Sequence, residues 1–432
     1  MIFDLIGRLA VTYINFVASI GVYLAVAVFC AAGNSTITTA VLALAQRGIN
    51  ALTQSLSGVV LIVKSIFTNE TSPQLIRYLV NHLYELLTFT YDLIRPSGVI
   101  TTGVAGEAPV NPFWELDPAL KENRQAISAQ VQRVLLSIRN IIFLGTQRTI
   151  PKSLADVPMN IRLASDFDAS GKPPSPIYVA GLNGGVTAAL REEKWIYING
   201  IGNERVWFES ACRKLRDAFN REITGVYNRS DGILWDMIQC FGEHSTVGNA
   251  QGAAADNSLI QRTESSVAAQ RALEDEIRKA LWPADGSVPP KKVVLVCHSQ
   301  GCLLTRLTLQ ALVQENAKGS QRRADMRERL RVFPFANPSM DWCVSDNGVK
   351  FLGNYAHTTE HFAHKVDFVA MLGVVSHMAD PKSGFDNETS EVFLSKGGVG
   401  HLFGAHYSLD PGDYENSEGS KLFNALGGVP IA

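Results

Sequence analysis

One serine of this chain sits in a pattern that turns a hydroxyl into a nucleophile. Cys297-His298-Ser299-Gln300-Gly301 is a variant of the G-x-S-x-G elbow, with Cys in the first small position. A serine hydroxyl alone attacks carbonyls poorly; it needs an imidazole to take its proton and a carboxylate to hold that imidazole in the right tautomer. With Ser299 as nucleophile, the partners are expected downstream, acid first and histidine second. Asp367 follows the apolar segment His361–Val366 and precedes Phe368-Val369-Ala370, where an acid can face a sheet edge. Asp341, Asp346 and Asp380 are less well placed. His401 closes the flexible run Gly397-Gly398-Val399-Gly400 and is the first choice for the base, with His406 in Gly404-Ala405-His406-Tyr407 as the alternative. The oxyanion formed on attack calls for two backbone donors. One is the N–H of Gln300; the other comes from Asn199-Gly200-Ile201, as Gly200 or Ile201. Each such donor typically lowers the barrier by about 3 kcal/mol.

The elements that must hold these groups are legible around them. Val293 to Val296 form a short β-branched run, as expected of a strand buried on both faces of a parallel sheet. Leu303, Leu304, Leu307, Ala311 and Leu312 then recur at helical spacing, so the serine falls at a strand-to-helix corner. Further strands are expected at Trp195–Asn199, Ile223–Tyr227, Val332–Phe335, His361–Val366 and Glu391–Leu394. Helices are expected at Val206–Phe219, Leu234–Cys240, Ser265–Leu281 and Leu303–Glu315. This alternation predicts an α/β fold, a mostly parallel sheet with helices on both faces. Ala119 to Phe143 reads as a leading amphipathic helix. Ile177-Tyr178-Val179 with Asn183-Gly184-Gly185 reads as a small hairpin. The stretches His244–Asn257 and Pro381–Ser390 read as insertions, the first as a lid.

These motifs together resemble a family of fungal lipase-like α/β hydrolases. Trp195–Cys240 is similar to that family's opening, with Asn199-Gly200-Ile201 at a strand end and Trp207 in the next helix. His298-Ser299-Gln300-Gly301, Asp367-Phe368-Val369, Leu372-Gly373-Val374 and Gly400-His401-Leu402 leading to His406-Tyr407 match its later motifs. Tyr227 stands where the family carries His, Ser230 where it carries Thr, and Cys302 where it carries a second Gly; none of these removes a group that hydrolysis needs. The resemblance covers roughly Trp195 to Asp410. It implies an α/β-hydrolase-type fold and a cofactor-independent serine esterase or lipase.

Composition bounds the remaining possibilities. The chain has 432 residues and a formal net charge of −2, so no basic field recruits nucleic acid or an anionic membrane. Six scattered cysteines without a C-x-x-C pair fit reduced core thiols and an intracellular setting. His357, His361 and His364 are spaced like metal ligands, but on a strand positions 361 and 364 face opposite sides, so no metal is expected. Asn228 and Asp236 fit a helix cap better than a pocket. The first third differs in character: Leu9 to Ala32 is uncharged and apolar, long enough for a membrane-spanning helix. The domain expectation is therefore an apolar helical region over 1–95, acting as membrane anchor or self-associating bundle. A Pro/Gly-rich linker over 96–118 and a hydrolase domain over 119–432 follow it. An apolar acyl ester or lipid is the expected substrate. The rival reading is a membrane-active or scaffolding protein whose hydrolase domain binds or regulates.

Overall fold

The structure, a computed structural model, describes residues 111–146, 161–182, 192–232 and 264–432, with positions 88, 91 and 236. Seven strands form one sheet: β1 (Ile177–Ala180), β2 (Glu193–Ile198), β3 (Ile223–Val226), β4 (Lys292–His298), β5 (Leu330–Phe335), β8 (Thr358–Ala363) and β9 (Ser390–Leu394). Their spatial order is β1-β3-β2-β4-β5-β8-β9. All neighbours are parallel except β1, which runs antiparallel to β3 at one edge. The two strands between β5 and β8 in sequence, β6 (Cys343–Ser345) and β7 (Val349–Phe351), pair as a separate antiparallel hairpin.

The period of two along each strand divides the core into two layers. Ile196, Ile198, Val293, Leu295, Cys297, Val332 and Ala363 face one side. There they meet helix α3 (Glu264–Leu281) through Ala269, Leu273 and Ile277, and helix α4 (Gln300–Glu315) through Leu303, Leu304, Leu307 and Leu312. The alternate residues Trp195, Tyr197, Val294, Val296, Phe333, Phe335 and Phe362 face the other side. They pack on helix α2 (Arg205–Phe219) through Phe208, Cys212, Leu215 and Phe219, and on the C-terminal segment through Phe403, Tyr407, Tyr414 and Phe423. The fold is thus α/β, with a mostly parallel sheet covered on both faces. β4 is central and buried on both sides, so the serine at its C-terminal end stands on the best-anchored strand.

Several expectations shift. Ile177–Ala180 is a strand that pairs with β3, Ile177 opposite Val226 and Ala180 opposite Ile223, while the expected turn Asn183-Gly184-Gly185 lies outside the described residues. A turn signal identifies only a local partner, and this partner is distant in sequence. The strand expected at His361–Val366 lies earlier, because Glu360 is buried inside it. The Glu360 carboxylate accepts hydrogen bonds from the Lys421 and Leu422 backbone and the Ser420 hydroxyl. Helix α5 (Gln321–Arg329) lacks an apolar period, so the sequence does not predict it. It is held by the Ser320 cap, whose hydroxyl accepts from the Arg323 N–H, and by Arg323 on Asp346. Pro381–Ser390 is not a loose insertion: Phe385 is buried with its ring 5.0 Å from that of His361, and the Trp342 N–H donates to the Ser383 carbonyl.

Helix α1 (Lys121–Thr146) occupies the place of the predicted leading helix. The end of the predicted linker, Asn111–Pro118, is structured and touches the loop that carries His401, as described below. Leu9–Ala32, the other apolar segments of 1–95, Leu234–Cys240 apart from Asp236, and His244–Asn257 lie outside the described residues. Among the described residues no helix is long and apolar enough to cross a membrane.

Candidate active site

At the end of β4 the chain turns through Ser299 with φ 56° and ψ −126°, a conformation that L-residues seldom adopt and that costs of order 1–3 kcal/mol. The surroundings impose it. The Ser299 N–H donates to the Phe335 carbonyl at 2.9 Å, and its carbonyl accepts from the Cys302 N–H at 2.8 Å. The corner also explains its small neighbours. A Cβ on Gly301 would lie 2.7 Å from the Ile198 carbonyl oxygen, and one on Gly200 would lie 2.4 Å from the Ser299 Cβ. The first turn of α4 therefore sits directly on the end of β2, and Gly200 passes against Ser299. Cys302 fits in this turn, its thiol within reach of the Cys297 and Phe335 carbonyls.

Asp367, His401 and Ser299 come together although they lie on three separate segments. His401 Nδ1 is 2.8 Å from Asp367 Oδ2, and His401 Nε2 is 2.9 Å from Ser299 Oγ. The tautomer consistent with both contacts carries its proton on Nδ1, donating to the carboxylate and leaving Nε2 to accept from the serine hydroxyl. Asp367 starts helix α6 (Phe368–Leu372), its Oδ1 accepting from the Val369 N–H at 3.0 Å. One carboxylate thus caps a helix and holds the imidazole. Burial alone would raise its pKa, but the charge and hydrogen bond of His401 and the Tyr407 hydroxyl outweigh it and hold the carboxyl below its usual range.

His406 is not in reach of the serine. Its Nδ1 accepts from the Leu402 N–H at 3.1 Å, and its ring packs under Gly400, where a Cβ would meet it at 2.5 Å. His298 is packed, as its position on the strand predicts. It also does something the sequence did not reveal: its Nε2 donates to the His401 carbonyl at 2.8 Å, with the two rings 4.7 Å apart. Burial and the neighbouring His401 push its pKa well down, keeping it neutral. The three histidines with metal-like spacing meet different partners. His357 is exposed, His361 lies between Trp342 and Phe385, and His364 bonds Ser395 Oγ and the His406 carbonyl.

The turn expected to supply the second oxyanion donor is held by polar groups. Asn199 Nδ2 donates to the Gly200 and Asn228 carbonyls, its Oδ1 accepts from the Asn228 N–H, and Asn228 Nδ2 donates to Gln300 Oε1 at 2.7 Å. Just beyond, the Gly202 N–H donates to Asp236 Oδ2 at 2.9 Å, and that carboxylate also accepts from the Ser230 hydroxyl and the Asp231 N–H. Gly200 therefore borders Ser299, and Gln300 follows it at the start of α4. Asn228 and Asp236 tie this turn in place. Ser299 is fully buried.

No family model, curated protein or solved structure matches the chain.

Proposed function

We propose that this chain is a serine hydrolase that cleaves carboxylic esters through an acyl-enzyme, on an α/β-hydrolase-type fold related to the fungal lipase-like hydrolases. The observation that carries the reading is the unbroken relay from Asp367 Oδ2 through the two nitrogens of His401 to Ser299 Oγ, at 2.8 and 2.9 Å. As His401 Nε2 takes the hydroxyl proton, Ser299 Oγ bonds to the ester carbon and the carbonyl oxygen becomes an oxyanion. The Gln300 N–H and that of Gly200 or Ile201 stabilise it. Collapse expels the alkoxide, which takes the proton from His401; water activated by the same imidazole then releases the acid. Asp367 stays ionised throughout and stabilises the imidazolium.

The strained φ of Ser299 supports the same reading, because backbone strain held in place by close packing is common where a side chain must be presented. The preference for an apolar acyl group, and membrane association through residues 1–95, belong to this proposal and rest on sequence alone. The test is reaction of the purified full chain with a fluorophosphonate probe, wild type beside Ser299→Ala. The expected result is a single adduct on Ser299 in the wild type and none in the variant. An unlabelled wild type, or an equally labelled variant, would overturn the reading.

A further inference from the structure

The loop that carries His401 is gripped from below by two buried ionisable side chains that the relay does not use. Lys214, on α2, is 4% exposed, and its Nζ reaches three backbone carbonyls: Phe403 at 2.8 Å, Gly404 at 3.1 Å and Tyr407 at 2.6 Å. An ammonium has three donors and no acceptor, so three converging carbonyls use it completely. Glu115, 5% exposed, takes the complementary groups of the same loop: its Oε1 accepts from the Gly404 N–H at 2.6 Å and its Oε2 from the Ala405 N–H at 2.9 Å. Asn111 adds a third contact, its Nδ2 donating to the Gly404 carbonyl at 3.1 Å. The approach is close. A Cβ on Gly404 would lie 2.0 Å from the Phe113 carbonyl oxygen and 2.7 Å from Glu115 Oε1.

We propose that Lys214 and Glu115 act as positioning residues for His401, fixing the Phe403–Tyr407 backbone so that the imidazole stays on the line between Asp367 and Ser299. The inference rests on the serine-hydrolase reading. Each residue comes from a different part of the chain, one from α2 and one from the segment preceding α1, so the loop is held by the body of the domain and not by its own turns. Burying two charges is costly unless each finds partners, and here the loop backbone supplies them. The Lys214 charge also lies over the Phe403 ring, 5.2 Å from its centroid. Displacing a catalytic group by about 1 Å can cost on the order of 100-fold in rate, so a loosened loop should register in turnover more than in binding.

The test uses the full chain as wild type, Lys214→Met, Lys214→Arg and Glu115→Gln. Two readouts are taken: the rate of fluorophosphonate labelling of Ser299, with kcat and KM on a p-nitrophenyl ester, and hydrogen exchange of the peptide containing Gly404 and Ala405. Lys214→Met and Glu115→Gln should lose about tenfold or more in labelling rate and kcat while KM moves by less than about threefold. Exchange at Gly404 and Ala405 should speed up, and Lys214→Arg should recover part of both. Wild-type rates in the variants would overturn the proposal, and so would faster exchange with unchanged rates, since the contacts would then be structural only. If Lys214→Met does not fold, Glu115→Gln leaves all three carbonyl contacts in place and decides the question. An unlabelled wild type would sink the hydrolase reading instead, while the exchange data would still show whether the two residues hold the loop.

Discussion

Tyr407 and His401 donate to the same oxygen of Asp367: the phenol hydroxyl reaches Oδ2 at 2.7 Å and the imidazole Nδ1 reaches it at 2.8 Å. The carboxylate is fully buried, so these two donors replace most of the solvation it has lost, together with the Val369 N–H on Oδ1. Tyr407→Phe removes one donor with little change of shape and should destabilise the protein at neutral pH by about 1.5–3 kcal/mol, as hydrogen bonds to charged groups do. The sign with pH follows from the depressed pKa of Asp367. Its contribution is present above the unfolded value and is lost as pH falls through the folded one. The gap in melting temperature between wild type and variant should therefore narrow on acidification. A gap that stays constant from pH 7 to pH 3 would show that the hydroxyl is not acting on the ionised carboxylate.

The two candidate histidines separate cleanly. His401→Ala should abolish ester hydrolysis as completely as Ser299→Ala, because members of such a relay act as a unit. The double variant should be no worse than either single one. His406→Ala removes the acceptor for the Leu402 N–H and the ring under Gly400, so it should cost stability first and rate second. Steady-state kinetics beside thermal melts would show it. A His406 variant as inactive as His401→Ala while keeping the wild-type melting temperature would move the base.

What was readable in the sequence divides along physical lines. The elbow, Asp367 and His401 could be placed because each follows a strand in the chain, and strands follow from local apolar runs. The buried β4, an unbroken apolar run covered on both faces, left the strongest trace. Lys214, Glu115, Tyr407 and the second role of His298 were invisible for the opposite reason: their partners are backbone groups or carboxylates far away in sequence. Lys214 looks like an ordinary charge on an amphipathic helix, and only the fold brings three carbonyls to it. Glu115 fell in a stretch read as linker because Pro and Gly surround it. Asp236 was read as a helix cap, whereas its carboxylate holds the Gly202 turn. The one available signal was weak: a buried position for a charged side chain implies a partner, but burial itself has to be inferred first.

The strain at Ser299 predicts an unusual ranking of stability. At φ 56°, ψ −126° a Cβ is costly and glycine is not. Ser299→Ala and Ser299→Gly both lose the hydroxyl and its bond to His401, so the comparison isolates the backbone. Ser299→Gly should be the more stable of the two by about 1–2 kcal/mol, even though glycine normally weakens a protein relative to alanine. Both should be catalytically dead. Denaturant melts of the pair measure the difference, and a more stable alanine variant would mean that the elbow is relaxed.

Asp236 offers the clearest pH signature outside the relay. Burial first, and then the negative charge of Asp231, push its pKa up to about 7, against the hydrogen bonds from Ser230, Gly202 and Asp231. A carboxyl whose folded pKa is raised binds its proton more tightly in the native state than in the unfolded chain. Its contribution to stability is therefore largest at low pH and declines as pH rises from its unfolded value near 3.8 to about 7. Asp236→Asn keeps an acceptor for the Gly202 N–H and removes the charge. The variant should match the wild type near pH 4 and become the more stable of the two by pH 8, by on the order of 4 kcal/mol. Taking the difference between the two proteins cancels the other buried carboxyls whose pKa burial raises, among them Glu115 and Glu360. Since Gly202 belongs to the turn carrying Gly200 and Ile201, the wild type should also lose ester hydrolysis relative to the variant as pH rises past 7. A stability difference that shrinks with rising pH, or a wild type that stays ahead at pH 8, would show that Asp236 enters the fold already ionised and well paired.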